Sequence, residues 1–173
     1  MVLVLLGTQQ QQFTRIIDYA INSNEMKNEQ IIIQTGHTIY NKKYDNNRIK
    51  LIDFLTKDEL NEYVKTADYI ITHGGVGMIF NALSKFKKVL IVPRLSEFEE
   101  HADNHQLEIS EKLTKLQFVC LYNFNNENID FNTQVDNFDK KIIELKNTEF
   151  KKYESSNKYI EILKNQINIY LNK

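Results

Sequence analysis

The sequence predicts a single Rossmann-like α/β domain with a mostly parallel sheet of about six strands. Three observations predict it. Short apolar runs alternate along the 173 residues with stretches of helical periodicity, the pattern of successive βαβ units. The turn-formers stand at the ends of those runs: three of the five glycines lie in His73-Gly74-Gly75-Val76-Gly77, and the only proline, Pro93, closes Val89 to Val92. Neither an internal repeat nor a linker divides the chain, so residues 1–173 read as one domain.

Val2 to Leu6 is uniformly apolar, as a strand buried on both faces must be, and stops at Gly7-Thr8. After the polar Gln9 to Gln12, the spacing of Phe13, Ile16, Ile17, Ala20 and Ile21 predicts a helix. Gln30 to Thr35, closed by Gly36, is the second strand, and Ile49 to Phe54 the third. Thr56-Lys57-Asp58-Glu59 reads as a capping box, opening a helix that carries Leu60, Tyr63 and Val64. Tyr69 to Ile71 is the fourth strand. Ile79, Ala82, Leu83 and Phe86 then mark the inner face of a helix over Met78 to Lys85. Val89 to Val92 and Gln117 to Leu121 supply strands five and six. Asn123 to Asn132 reads as a surface loop, and Val135 to Leu145 has weak helical character. A long C-terminal helix is predicted from Tyr153 to Leu171, apolar over much of its circumference.

The composition excludes several functions. A net charge of −1 gives no bulk electrostatic hold on nucleic acid. One cysteine, Cys120, makes no internal disulfide, which suits a reducing cytoplasm. No apolar run approaches the roughly 18 residues of a membrane span, and Met1 to Leu6 is too short for a signal-peptide core. The chain is expected in the cytoplasm.

Glycines between a strand and a helix let backbone amides approach a ligand, and the helix start adds free N–H groups and partial positive charge. The turn therefore suits a diphosphate, with Gly75, Gly77 and the amides of Val76 and Met78 as contacts; a tight packing turn is the plain alternative. The pattern is neither G-x-G-x-x-G nor a P-loop. His73 beside the glycines reads as structural or ligand-lining. His101 and His105 lack the H-E-x-x-H context of a zinc site, and no metal is expected. Asp103, Asn104, His105 and Gln106 form a dense hydrogen-bonding set suited to a sugar. Arg94 reads as a surface charge by default, or as a phosphate or partner contact. Cys120 has nothing nearby to activate it.

The His73–Gly77 turn, Ala82-Leu83, Val89 to Arg94 and the stretch from Glu100 to Glu108 together resemble the C-terminal domain of family 28 glycosyltransferases. The likeness covers nearly the whole chain and is nearest to small single-domain members. These are the PssE-type polysaccharide subunits and the catalytic subunit of the dolichol-linked N-acetylglucosamine transferase. The resemblance implies one half of a GT-B architecture, with a UDP-sugar as substrate and no separate cofactor. It places the diphosphate on Gly75 to Met78, Gly7 and Thr8 beside it, and the sugar on His105 and Gln106. Asn81 departs from the family pattern, where a glutamate binds the ribose hydroxyls. The missing acceptor half implies a membrane-anchored, PssD-like partner subunit that binds a lipid-linked saccharide and supplies the base. The C-terminal helix and the rim from Arg94 to Phe98 are expected to meet that partner, placing this chain at the inner membrane face. Galactose transfer in capsule or exopolysaccharide synthesis is the family-based expectation. The rival reading is a non-catalytic stabiliser of a partner transferase, and Asn81 is the residue that favours it.

Overall fold

The computed structural model describes residues 1–123 and 129–153. Six strands form one all-parallel sheet in the order β3-β2-β1-β4-β5-β6. In chain order the elements are β1 (Val2–Leu5), α1 (Thr14–Asn22), β2 (Ile31–Gln34), β3 (Ile49–Ile52), α2 (Lys57–Thr66), β4 (Tyr69–Thr72), α3 (Val76–Leu83), β5 (Lys88–Ile91), α4 (His105–Lys115), β6 (Cys120–Leu121) and α5 (Phe131–Asn147). A single 3-10 turn, Ser96–Phe98, interrupts the β5–α4 connection.

Side-chain alternation along the central strands builds two cores. Val2, Val4 and Leu6 face α1 and α5, where Phe13, Ile16, Phe138 and Ile142 are buried. Leu3 and Leu5 face the other side, against Val64, Ile79, Ile109 and Leu113 of α2, α3 and α4. The helices thus cover both faces, as a sheet of apolar parallel strands requires. β1 pairs with β2 on one side and β4 on the other, in register from Val2 opposite Ile31 and Tyr69. Chain progression reverses between β1 and β4, and the crevice beyond the carboxyl ends of that pair is where such folds place ligands.

Local chemistry explains the boundaries. Thr56 accepts the Glu59 N–H at 3.3 Å, while Glu59 accepts the Thr56 N–H at 2.8 Å, so the capping box forms as the sequence indicates. Helix α3 ends at Leu83, earlier than expected. The chain then turns through Phe86 in a left-handed conformation (φ 57°), which leaves that ring 70% exposed instead of in the core. Helix α5 starts four residues before its apolar period, because Asp130 caps it through the Thr133 amide at 3.1 Å. The expected helix from Tyr153 to Leu171 lies, beyond its first residue, outside the described residues.

Arg94 is not a surface charge. It is 0% exposed, and its guanidinium donates to the carbonyls of Leu6 (3.0 Å), Gln11 (2.8 Å) and Glu100 (3.1 Å). The Phe13 ring lies 4.8 Å from its central carbon. Beside it, Arg15 makes a two-pronged pair with the buried Glu100 carboxylate, at 3.0 and 2.7 Å, and donates to Pro93 O. The two arginines thereby fasten the β5–α4 connection to the loop after β1 and to α1. Arg94 and Leu95 are both buried, so they form no rim for a partner. Burial pulls the Arg94 guanidinium down to about 10, still charged at neutral pH. Arg94→Met removes these donors and leaves buried carbonyls without partners. It should destabilise the fold by about 3 kcal/mol, read as a shift in the urea-unfolding midpoint.

Candidate functional site

The loops after β1, β4 and β5 converge on the crevice. Thr72 is buried at the end of β4, and His73 follows with its Nδ1 3.3 Å from Leu5 O. Nδ1 therefore carries the proton and donates, leaving Nε2 bare. Burial, chiefly, lowers the His73 imidazole to about 4, and Arg94 and His101 push the same way against the Leu5 bond. His73 is neutral at physiological pH.

That ring explains two glycines. A Cβ on Gly7 (φ 81°) would lie 2.7 Å from the ring, and one on Gly75 would lie 2.2 Å from Nε2. Gly74 has a different reason: its Cβ would meet that of Gln106 at 2.5 Å. Gly77 stands apart, since a Cβ there meets nothing within 4 Å. It occupies the second position of α3, where glycine is a poor helix former and no neighbour among the described residues demands it.

Helix α3 has no side-chain cap. The amides of Gly75, Val76 and Gly77 have no hydrogen-bond partner among the described residues, whereas Met78 donates to Gly75 O at 3.1 Å. The diphosphate contact expected of the Met78 amide is thus corrected: that amide closes the first helical turn, and the free donors lie one residue earlier. Three consecutive unpaired amides at a helix start form an anion cradle.

Two cavities of about 300 Å³ each flank the cradle and share His73 and Gly75 to Gly77. The first lies toward β3, between Gly7, Thr8, Phe54, Leu55, Leu60 and Met78. Phe54 is 52% exposed, with His37 packed edge-on at 5.1 Å. Its wall is stiffened by Gln34, buried at the end of β2, whose carboxamide takes the Gly7 N–H at 3.3 Å and donates to Gly7 O and Asp53 O at 3.0 Å. Sequence reasoning does not single out Phe54, Leu55, Leu60 or Gln34 as site residues. Gln34, Phe54 and Leu55 stand at or just beyond strand ends on the site's side of the sheet, and Leu60 lies in the first turns of α2.

The second cavity lies toward α4 and is lined by Gln9, His101, Asp103, His105 and Gln106. The Gln106 oxygen accepts from both Gly74 N and Arg94 N, at 3.1 Å each. It therefore ties β4 to β5, leaving the amide nitrogen as the group available to a ligand. Asp103 accepts from the His105 amide at 3.0 Å and sits 3.1 and 2.9 Å from the Nδ1 atoms of His101 and His105. Desolvation is the largest effect and raises its carboxyl, but the His105 hydrogen bonds and the charge interaction with both rings outweigh it and hold the carboxyl below the usual range.

Two expected residues lie elsewhere. Arg94 is internal, as described above. Asn81 lines neither cavity, and its oxygen is held by Lys85 Nζ at 2.5 Å in a cluster with Asn61. Cys120 is buried, and burial with Glu144 nearby pushes its thiol up to about 12, so it is no nucleophile. Among the described residues no group of three or more His, Cys, Asp or Glu is placed to hold a metal ion.

Comparison with known proteins agrees with this architecture. The family model described as the glycosyltransferase family 28 C-terminal domain matches residues 1–160. A 79-residue stretch, 46% of this chain, is 33% identical to the UDP-N-acetylglucosamine transferase subunit ALG13 of Candida albicans, covering 25% of that protein. An 86-residue stretch, 49% of the chain, is 31% identical to the Homo sapiens subunit of the same name, covering 7% of it. The matched stretches thus span a quarter or less of these relatives. Among solved structures, the glycotransferase of kitacinnamycin superposes with a TM-score of 0.59 at 15% identity, over 86% of this chain and 35% of that one; this is a likeness of fold.

Two outcomes follow from the geometry. Gly77→Ala should stabilise the folded chain by roughly 0.5–1 kcal/mol in thermal melting, and weaken a diphosphate ligand about tenfold in calorimetry because the methyl enters the cradle. The second concerns pH. His73 has a folded-state pKa of about 4 against an unfolded value near 6.5, so the unfolded chain takes the proton first. Its contribution is complete above pH 6.5 and is lost as pH falls toward 4. Urea midpoints across that window should drop more steeply for the parent than for His73→Asn.

Proposed function

This chain belongs to the family of the glycosyltransferase family 28 C-terminal domain, and on that premise we propose that it is the donor-binding subunit of a heteromeric inverting glycosyltransferase. The observation that carries the reading is the row of three unpaired amides at the start of α3, set between two cavities of different character. The amides take the diphosphate of a UDP-sugar. The apolar cavity, with the exposed Phe54 face, takes the uracil ring by stacking. The polar cavity takes the sugar against the Gln106 amide and the histidines. As the glycosidic bond to UDP breaks, negative charge grows on the diphosphate, and fixed N–H dipoles stabilise it with no reorganisation.

The acceptor hydroxyl must lose a proton to a base. His73 has a bare Nε2, but it is wedged between Gly7 and Gly75, so we assign the base to a partner subunit. That partner is a membrane-anchored, acceptor-binding subunit of the PssD type that presents a lipid-diphosphate-linked saccharide, in capsule, exopolysaccharide or a related glycan. No helix among the described residues is long and apolar enough to cross a membrane, so in this reading attachment to the inner face comes through the partner. For the donor sugar, the family-based expectation is galactose, while the ALG13 relatives are named for N-acetylglucosamine. A second reading, the non-catalytic stabiliser, is favoured by Asn81, which stands outside both cavities and is paired with Lys85.

Titration of the chain with UDP, UDP-galactose and UDP-N-acetylglucosamine separates these readings. The donor subunit binds UDP, and Phe54→Ala weakens UDP and either UDP-sugar alike, by about 3- to 10-fold for a lost stacking contact of ~1 kcal/mol. A folded parent that binds none of the three overturns the donor reading in favour of the stabiliser.

A further inference from the structure

The polar cavity is bridged from lip to lip. Gln9, on the loop after β1, places its amide nitrogen 3.0 Å from His101 Nε2, on the connection before α4. The far side of the same ring meets Asp103, with Nδ1 3.1 Å from one carboxylate oxygen. The other oxygen lies 2.9 Å from His105 Nδ1. One carboxylate thus stands beside the same ring atom of two imidazoles, and both rings line the cavity. The Asp103 amide also lies 3.2 Å from His101 Nδ1, which would require that nitrogen to accept. The two roles exclude each other. A bare Nδ1 would set its lone pair against a carboxylate, whereas Nδ1–H to carboxylate is a charge-assisted bond about twice as strong as a neutral one. The carboxylate therefore prevails. The partner of Nε2 is the Gln9 amide nitrogen, which can only donate, so Nε2 is assigned as the acceptor and Nδ1 as the protonated atom.

We infer that Asp103 is a positioning residue, which holds His101 with a bare Nε2 facing the cavity, and that the Gln9 amide occupies the place of a donor-sugar hydroxyl. This rests on the donor-site reading and adds to it. It moves Asp103 from direct substrate contact to orientation of the group that makes the contact. It also makes His101 a sugar-recognising residue. The chemistry recognised is a hydroxyl: a group that donates a hydrogen bond to Nε2 and displaces Gln9. A diphosphate, which only accepts, gains nothing from a bare nitrogen, so the effect is confined to the sugar.

The test combines ring tautomers with a comparison of two ligands. In the 15N-labelled chain, long-range 1H–15N spectra should show neutral His101 and His105 in the Nδ1–H form. Asp103→Asn should return His101 to the commoner Nε2–H form. It should also weaken UDP-N-acetylglucosamine or UDP-galactose, whichever the parent binds more tightly, about tenfold while changing UDP less than twofold. His101→Ala leaves the Asp103–His105 contact at the helix start intact and should reproduce the sugar-selective loss. Asp103→Glu, which keeps a carboxylate, should recover part of it. Unchanged tautomers in Asp103→Asn, or equal losses for UDP and UDP-sugar, would overturn the inference while parental UDP binding keeps the donor reading standing. A parent that binds neither ligand overturns both.

Discussion

The site depends on a charge placed where charges are rarely found. Arg94 has no exposed surface, and three main-chain carbonyls from two separate connections close on it. Burying a guanidinium costs less when its donors are paired; here both terminal nitrogens are paired to loop carbonyls, while Nε has no partner among the described residues. The loop after β1 and the connection after β5 carry no regular backbone pairing to each other. Arg94, with the Arg15–Glu100 pair beside it, fixes their separation. That separation sets the distance from Gln9 to His101 and the width of the polar cavity.

The glycines divide by cause. Gly7 and Gly75 are small because His73 stands between them, and Gly74 because the first turn of α4 presses on it. These are packing constraints set by the chain's own side chains. Among the described residues Gly77 is the one glycine whose Cβ would meet no neighbour, and it stands in a helix that glycine weakens. The ring that spaces the glycines is neutral, so it adds no charge beside the unpaired amides at the start of α3.

Much of the fold was legible because its signals are local. Uniformly apolar strands, the Thr56–Glu59 box and the glycine turn each lie within a few residues, and the structure places each element near where its pattern stands. The early start of α5 was missed because Asp130 precedes the apolar period that marks the helix. The candidate cavities were legible in the glycines and in Asp103, His105 and Gln106, which lie close together in the chain; Asn104 of the same cluster turns away to accept from Ser96. It was illegible wherever the partner is distant: Arg94 meets Leu6 across 88 residues, and Arg15 meets Glu100 across 85. A lone arginine after a proline carries no mark of such partners. Phe54 and Gln34 were hidden for the same reason, since only the sheet order brings β2 and β3 beside the glycine turn.

The sheet order also has a consequence for how the chain comes off the ribosome. β1 is made first, yet it lies in the middle of the sheet, with one edge paired to β2 and the other to β4, so Val2 waits for Tyr69. Until β4 emerges, an apolar strand shows an open edge. Parallel pairing across such a separation forms slowly, because loop closure must precede any gain from contact. The crevice completes later still, when Gln106 arrives to join the ends of β4 and β5. A nascent chain shorter than that has five of its six strands, an unpaired edge on β5 and an incomplete crevice.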